Sequence, residues 1–369
     1  MNFMSSEDQI AYRDSVATML AAEVTAESIR ARWDSPKGID EKLIEQLNEL
    51  GLNTMLVPES CGGLGLSEQD FILLAQECGR AALPEPLVDN VLVANAMLAD
   101  VACSDLVSAK QCEDLLSEVA AGKVMLACGH WINPFINMAD IHQWLLLSQG
   151  DEVHLVESSA VELLPQRSAD PSRRIFKVNW QPKAETRIAN GEAGAGLWRR
   201  ALNRGALGVA AQLIGLSESI LHRAVGFTAD REQFGRPVGS NQAVKHLLAD
   251  CAVSLEFAKP VMARAAYAVG SNSSDADCAV SHAKVAASRA AQLCARHGMQ
   301  VHGAMGYTWE CDLHIWMKRC WAIDKTWGDA GFHKNRIHER LLDPSTLMGA
   351  GHTFTSATSK TYNSQEGAA

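Results

Sequence analysis

Arg231-Glu232-Gln233-Phe234-Gly235-Arg236-Pro237 breaks an otherwise helical pattern, and Gln242 and His246 follow on the next helical stretch. An arginine at such a loop-to-helix junction suits a dinucleotide pyrophosphate, because a guanidinium pairs bidentately with phosphate oxygens. Taken alone, it is more often a surface arginine in a salt bridge. Further on, Gln300-Val301-His302-Gly303-Ala304-Met305-Gly306-Tyr307 closes an alanine-rich helical stretch, and Trp327-Gly328-Asp329 comes after it. The nearby acids Glu310, Asp324 and Asp329 read first as helix-end carboxylates. A general base would need hydrogen-bond reach to its proton. Trp309, Trp316, Trp321 and Trp327 read as core or interface packing rather than as a substrate cage.

These segments need helices to position them, and the pattern supplies helices at both ends of the chain. From Glu7 to about Ala121, Ile10, Val16, Met19 and Leu20 recur near helical spacing, as do Leu43, Leu47 and Leu50 before a capping Gly51. Pro58-Glu59-Ser60-Cys61-Gly62-Gly63-Leu64-Gly65-Leu66 reads as a tight, exposed backbone turn, with Ser67 as the N-cap of the next helix. From about Lys123 to Pro182 the texture changes. Short apolar runs at Trp144–Leu147 and Val153–Val156 and a partly alternating Ile175–Trp180 are separated by turn residues, which predicts a small antiparallel β domain. Helical periodicity returns from about Gly194, with Leu202, Leu207, Ala210, Leu213, Ile214, Ser217, Leu221 and Ala224 on one stripe and Ala279–Val301 on another. The expected class is mainly α with a small β domain: an N-terminal helical domain over 1–122, a short middle β domain over 123–190, a C-terminal four-helix bundle over 191–345 and a polar tail over 346–369.

Composition narrows the function classes. The chain has 369 residues, 47% hydrophobic and only 6% aromatic, which favours helix over an all-β fold. A formal net charge of -10 with no offsetting basic patch excludes a nucleic-acid partner. The ten cysteines are scattered without a C-x-x-C and the twelve histidines are dispersed, so neither a disulfide framework nor a metal site is expected. No signal peptide or bilayer-spanning run is visible, so a cytoplasmic location and no membrane contact are expected.

Three motifs carry a resemblance over about residues 1–345. Pro58-Glu59 with Gly62-Gly63-Leu64-Gly65 looks like the P-E-x-x-G-G-x-G of the acyl-CoA dehydrogenases. Arg231–Pro237 resembles that family's R-x-Q-F-G-x-P-[IV], and the stretch starting at Gln242 resembles its Q-x-[VI]-x-x-x-[LM]-[AS]-[DE]. Gln300–Tyr307 resembles its Q-x-x-G-G-x-G-[YF]. The resemblance implies FAD as cofactor, an acyl-CoA thioester as substrate and an electron-transfer flavoprotein as acceptor. It also implies a carboxylate that takes a proton from the α carbon while hydride leaves the β carbon for the flavin. By the same resemblance Arg231, Gln233, Phe234, Gln242, Gln300 and Gly303 would bind the cofactor, and Arg199 would lie near the acyl-CoA. Arg199 reads equally well as an exposed helix-start cation beside Arg200.

The departures matter as much as the matches. The family's glutamate base falls on Trp327. The alternative base position on an earlier helix, found by aligning Gly205-Ala206-Leu207-Gly208, falls on Trp198. No catalytic residue is therefore expected in this chain. The T-E-P-type loop that holds the flavin ring has no counterpart, and in Trp131-Ile132-Asn133 an asparagine stands where a hydroxyl would contact flavin. Loss of base and ring-holding elements, with the segments that reach into a neighbour's site kept, is the pattern of one subunit in a heteromeric (α2β2) acyl-CoA dehydrogenase. The expected partner is a homologous subunit that carries the glutamate, with FAD shared across the interface and a steroid side-chain CoA ester as substrate. Two other readings stand beside it: an inactive ligand-binding or structural homologue, and a self-sufficient dehydrogenase with Asp329 as base.

Overall fold

The computed structural model describes residues 3–33, 35, 38–344 and 346. The polar tail expected over 346–369 lies, Thr346 apart, outside the described residues. The first layer is helical: α1 (Glu7–Glu23), α2 (Ala26–Trp33), α3 (Glu41–Glu49), α4 (Glu68–Arg80), a π-helical stretch over Val88–Asn95 that runs into α5 (Ala96–Ala102), and α6 (Ala109–Ala120). Ser67 caps α4 as the sequence suggests, in a box closed by Asp70. The glycine turn before it is forced by sterics. A Cβ on Gly63 would lie 2.2 Å from the Val57 carbonyl oxygen, and Gly62 and Gly65 take φ of +85° and +60°.

The middle layer is two small sheets. One has the order β1 (Leu126–Gly129), β3 (Trp144–Gln149), β4 (Glu152–Glu157), β7 (Arg187–Ala189); the other runs β2 (Phe135–Asn137), β6 (Ile175–Asn179), β5 (Glu162–Gln166). The expected antiparallel arrangement needs one correction, because β1 pairs with β3 in parallel. The chain leaves β1, lays β2 into the other sheet and only then returns, a crossover that allows parallel pairing. This also explains the Trp144–Leu147 run. Leu145 and Leu147 face a core between the sheets with Ala127, Ile136 and Phe176, while Leu146 points into the main helical core.

The C-terminal part is α7 (Gly191–Asp230), a hairpin of β8 (Glu232–Gln233) and β9 (Arg236–Pro237), α8 (Gln242–Gly270), α9 (Ala276–His302), α10 (Leu313–Ile323) and α11 (Ala330–Leu342). α7 crosses α4 almost backbone to backbone. A Cβ on Gly79 would meet the Gln212 carbonyl oxygen at 2.1 Å, and one on Gly215 would meet that of Gln76 at 1.9 Å. Buried ion pairs hold the parts: Arg32 to Glu85 at 2.7 Å within the first layer, and Asp170 of the β layer to Arg319 of α10 at 2.6 Å. No helix among the described residues is long and apolar enough to cross a membrane.

The α4–α7 crossing gives a direct test. Gly215→Ala should cost about 2–3 kcal/mol, because neither backbone can retreat from the added methyl. A chemical-denaturation midpoint left unchanged by this substitution would show the crossing to be looser than described.

Candidate functional site

Trp327 stands in the connection between α10 and α11, with φ +53° and no solvent exposure. A left-handed conformation is uncommon for so bulky a residue and costs about 1–2 kcal/mol. Several contacts offset it. The indole Nε1–H donates to Asp89 Oδ1 in the π-helical stretch at 2.7 Å. The Trp327 carbonyl accepts from His333 Nε2 at 2.8 Å. Lys284, itself fully buried in α9, donates to the Gly328 carbonyl at 2.9 Å and to the Asp324 carbonyl at 2.8 Å. The ring lies against Gly205 of α7, where a Cβ would come within 2.3 Å of Trp327 Cδ2. Next along α7, Gly208 makes room for Val88, so the π-helical stretch that carries Asp89 can approach.

Trp198, the residue at the other base position, is brought to the same place. It is buried, and its Nε1–H donates to the Glu152 carbonyl of β4 at 3.0 Å. His130 joins the two. It leaves β1 in a tight turn closed by Asn133 N–H to the His130 carbonyl at 2.7 Å. Its ring centroid is 4.8 Å from that of Trp198 and 6.4 Å from that of Trp327, in the second case nearly parallel. By the resemblance, a carboxylate at either position would reach the same substrate carbon. Here both positions hold indoles, and the His130 imidazole packs beside them. The cavity bordered by Asp89, Asn137, Arg173 and Thr326 has only about 20 Å³. That is room for about one water, whereas ligand pockets take hundreds of cubic ångströms.

The electrostatics of this plug favour neutral groups. Burial lowers the pKa of His130 to about 4 and that of His333 to about 3, the latter against the opposing pull of its bond to the Trp327 carbonyl. Burial also lowers Lys284 to about 8 and raises Asp89, the Trp327 N–H working the other way on Asp89. Of the neighbouring acids, Asp329 is the N-cap of α11. Its Oδ1 accepts from the Phe332 N–H at 2.9 Å, and that bond holds its pKa low. Asp324 accepts from Gln292 at 3.2 Å and lies 3.3 Å from Lys325, while Glu310 is exposed. Trp316 is buried as core packing, whereas Trp309 and Trp321 are exposed.

The flavin-type segments gather elsewhere. α8 and α9 form an antiparallel hairpin, with His297 Nδ1 at 3.0 Å from the Leu247 carbonyl, so the start of α8 and the end of α9 share one end of the bundle. α7 finishes there too, with Phe227 stacked on His302 at 4.2 Å. That end therefore carries Arg231, Gln233, Phe234, Gln242, Gln300 and Gly303, all exposed. Phe234 and Gly235 take φ of +53° and +74° in a two-residue hairpin turn, which leaves the Phe234 side chain fully exposed at the tip. Arg199 is not with this group. It lies near the opposite end of α7 and lines a surface cavity with Arg200, Asn203 and Arg204, while its neighbour Trp198 points into the plug. Sequence reasoning alone misses His130, Asp89, Lys284, His333 and the role of Gly205. A lysine inside the alanine-rich Ala279–Val301 stripe is the one visible signal among them.

The descriptions "Acyl-CoA dehydrogenase, N-terminal domain" and "Acyl-CoA dehydrogenase, C-terminal domain" match residues 6–123 and 192–342. Acyl-CoA dehydrogenase IpdE2 of Mycobacterium tuberculosis (strain ATCC 25618 / H37Rv) is 31% identical over 315 residues, 85% of this chain and 91% of that protein. The chain belongs to the acyl-CoA dehydrogenase family. Two solved structures share the fold. The ChsE4-ChsE5 complex from Mycobacterium tuberculosis superposes with a TM-score of 0.82 at 20% identity, over 94% of this chain and 100% of that one. The Tcur3481-Tcur3483 steroid ACAD gives 0.80 at 23% identity, over 90% and 97%. The family uses FAD. The chain's own residues fit that group unevenly: the exposed Arg231 end offers a guanidinium and amides, whereas Trp327, at the family's base position, is fully buried.

The plug makes two predictions. Trp327→Ala should destabilise the protein by about 3–5 kcal/mol, read from chemical denaturation, since it opens a cavity among groups that cannot collapse. The neutral His130 and His333 should make stability fall with acid. Both native pKa values lie below the unfolded value near 6.5, so protons are taken up on unfolding. Stability present above pH 6.5 should be lost as pH drops towards 4, and His130→Gln should flatten that profile.

Proposed function

We propose that this chain is the base-lacking subunit of a heteromeric, FAD-dependent acyl-CoA dehydrogenase that carries out α,β-dehydrogenation of an acyl-CoA thioester. The observation that carries the reading is the pairing of opposites within one chain. Both positions from which the family draws its base are tryptophans sealed against His130, while the Arg231–Gln242 and Gln300–Gly303 segments stand exposed at the far end of the bundle. A degenerate, ligand-free homologue would have no reason to keep the second while closing the first.

In this reading a homologous partner subunit brings the glutamate, the ring-holding loop and the acyl pocket. FAD, when bound, supplies the two-electron acceptor for the hydride equivalent. This chain's part is binding and orientation. Arg231 pairs with pyrophosphate oxygens as a charged clamp. Gln233, Gln242 and Gln300 offer amide donors and acceptors, Phe234 offers a ring to stack, and the Gly303 backbone allows close approach. Asp329 takes no proton, because its carboxylate is engaged as the α11 cap. A steroid side-chain CoA ester is the substrate class proposed, on the strength of the steroid ACAD among its structural neighbours. An electron-transfer flavoprotein as acceptor and a cytoplasmic location complete the proposal.

Co-expression with a homologous subunit that carries the base tests it. The purified chain alone should be colourless and inactive, while the complex should be yellow, active and hold one FAD per pair of unlike chains. Ordinary acyl-CoA oxidation by the chain alone would sink the idea. Arg231→Ala should weaken FAD retention by the complex about tenfold or more without preventing subunit assembly, checked by flavin absorbance after size-exclusion chromatography.

A further inference from the structure

A cavity of about 610 Å³ opens between the first turn of α4, the end of α5, the first part of α7 and the α8–α9 connection. Its size is that of a small-molecule site, and its wall is mixed, with several charged side chains beside Val269 and Ala276. The carboxylates in that wall are already matched. Asp100 takes Arg200 Nε at 2.9 Å and Arg204 Nη1 at 2.6 Å on the same oxygen. Glu68 takes Arg204 at 2.9 Å, and Asp277 takes Asn203 at 2.6 Å and Arg336 at 3.3 Å. Glu68, Asp100 and Asp277 are thus balanced by Arg200, Arg204 and Arg336. One guanidinium is left over: Arg199 has no ion-pair or hydrogen-bond partner among the described residues.

The mouth adds neutral groups. The side chains of Asn272 and Ser274 in the α8–α9 connection line the cavity and likewise have no hydrogen-bond partner among the described residues. Asn272 is held there with φ +48°, a conformation asparagine tolerates better than most residues. The paired carboxylates still have lone pairs to accept hydroxyl protons, since an ionised carboxyl accepts up to about four hydrogen bonds.

We propose that this cavity binds a small hydroxylated organic anion, with Arg199 on the anionic group and the wall carboxylates and Asn272–Ser274 on the neighbouring hydroxyls. The anion can be a phosphate ester or a carboxylate; the recognition is the same. The site is independent of the flavin-facing end: Arg199 and Arg231 are about 48 Å apart along α7 at 1.5 Å per residue. The proposal gives Arg199 a ligand other than the acyl-CoA that the resemblance suggests for it, and it does not rest on the subunit assignment above.

Titration calorimetry on the full chain, and on its complex where one forms, tests it with ribose 5-phosphate, malate and inorganic phosphate as probes. At least one hydroxylated probe should bind saturably and more tightly than inorganic phosphate, and which one does so identifies the anion. Arg199→Gln, at an exposed and unpaired position that folding does not need, should weaken that binding about tenfold, while Arg231→Gln should leave it unchanged. Four outcomes would overturn the proposal: no saturable binding up to about 10 mM, inorganic phosphate binding as tightly as both probes, an unchanged affinity in Arg199→Gln, or a loss in Arg231→Gln instead.

Discussion

The hydrogen bond from the Trp327 indole to Asp89 is the contact on which the centre of this molecule depends. It joins the α10–α11 connection to the first helical layer, and it exists only because Trp327 adopts a left-handed backbone. Everything nearby is shaped to allow that. His333 and Lys284 hold the carbonyls of Trp327 and Gly328, Gly205 gives up its side chain to the indole, and the π-helical stretch delivers Asp89 to the right depth. A buried carboxylate, a buried lysine and buried histidines would each be costly alone. Here Asp89 accepts the indole N–H, His333 meets the Trp327 carbonyl and Lys284 donates to the Gly328 carbonyl.

The two ends of the C-terminal helices have taken different courses. At one, Trp198, Trp327 and His130 pack together inside the molecule. At the other, the β8–β9 hairpin holds Phe234 out in solvent, where burial inside this chain would be the ordinary fate of a phenylalanine. An exposed aromatic on a rigid two-residue turn is pre-organised and loses little entropy on contact. Arg231 is likewise exposed, with no ion pair among the described residues.

Much of this was legible in the sequence, and the failures are physical. Helical spacing located α1, α3 and α7, and Ser67 announced the start of α4, because those signals are local. The parallel pairing of β1 with β3 was not legible, since it depends on where β2 goes in between. Trp327 and Trp198 could be singled out by position. That His130 would stand beside both could not, because that contact joins residues far apart in the chain. Lys284 was missed although it interrupts an alanine stripe, because its two carbonyl partners belong to a segment about forty residues on. The residues offered to a flavin were readable because they sit in contiguous motifs. Their exposure, on which their proposed use depends, was not.

The glycine at 205 bears on how such a chain can change. With the indole present, that position tolerates no side chain. A carboxylate in the indole's place would face Asp89 across a dry gap, two like charges with no water to screen them. Regaining a base would therefore need coordinated changes at 89, 130 and 327, with each single step passing through a less stable protein. The packing works as a ratchet: with Trp327 held in its left-handed turn against Gly205 and Asp89, no single substitution installs a carboxylate there without loss of stability.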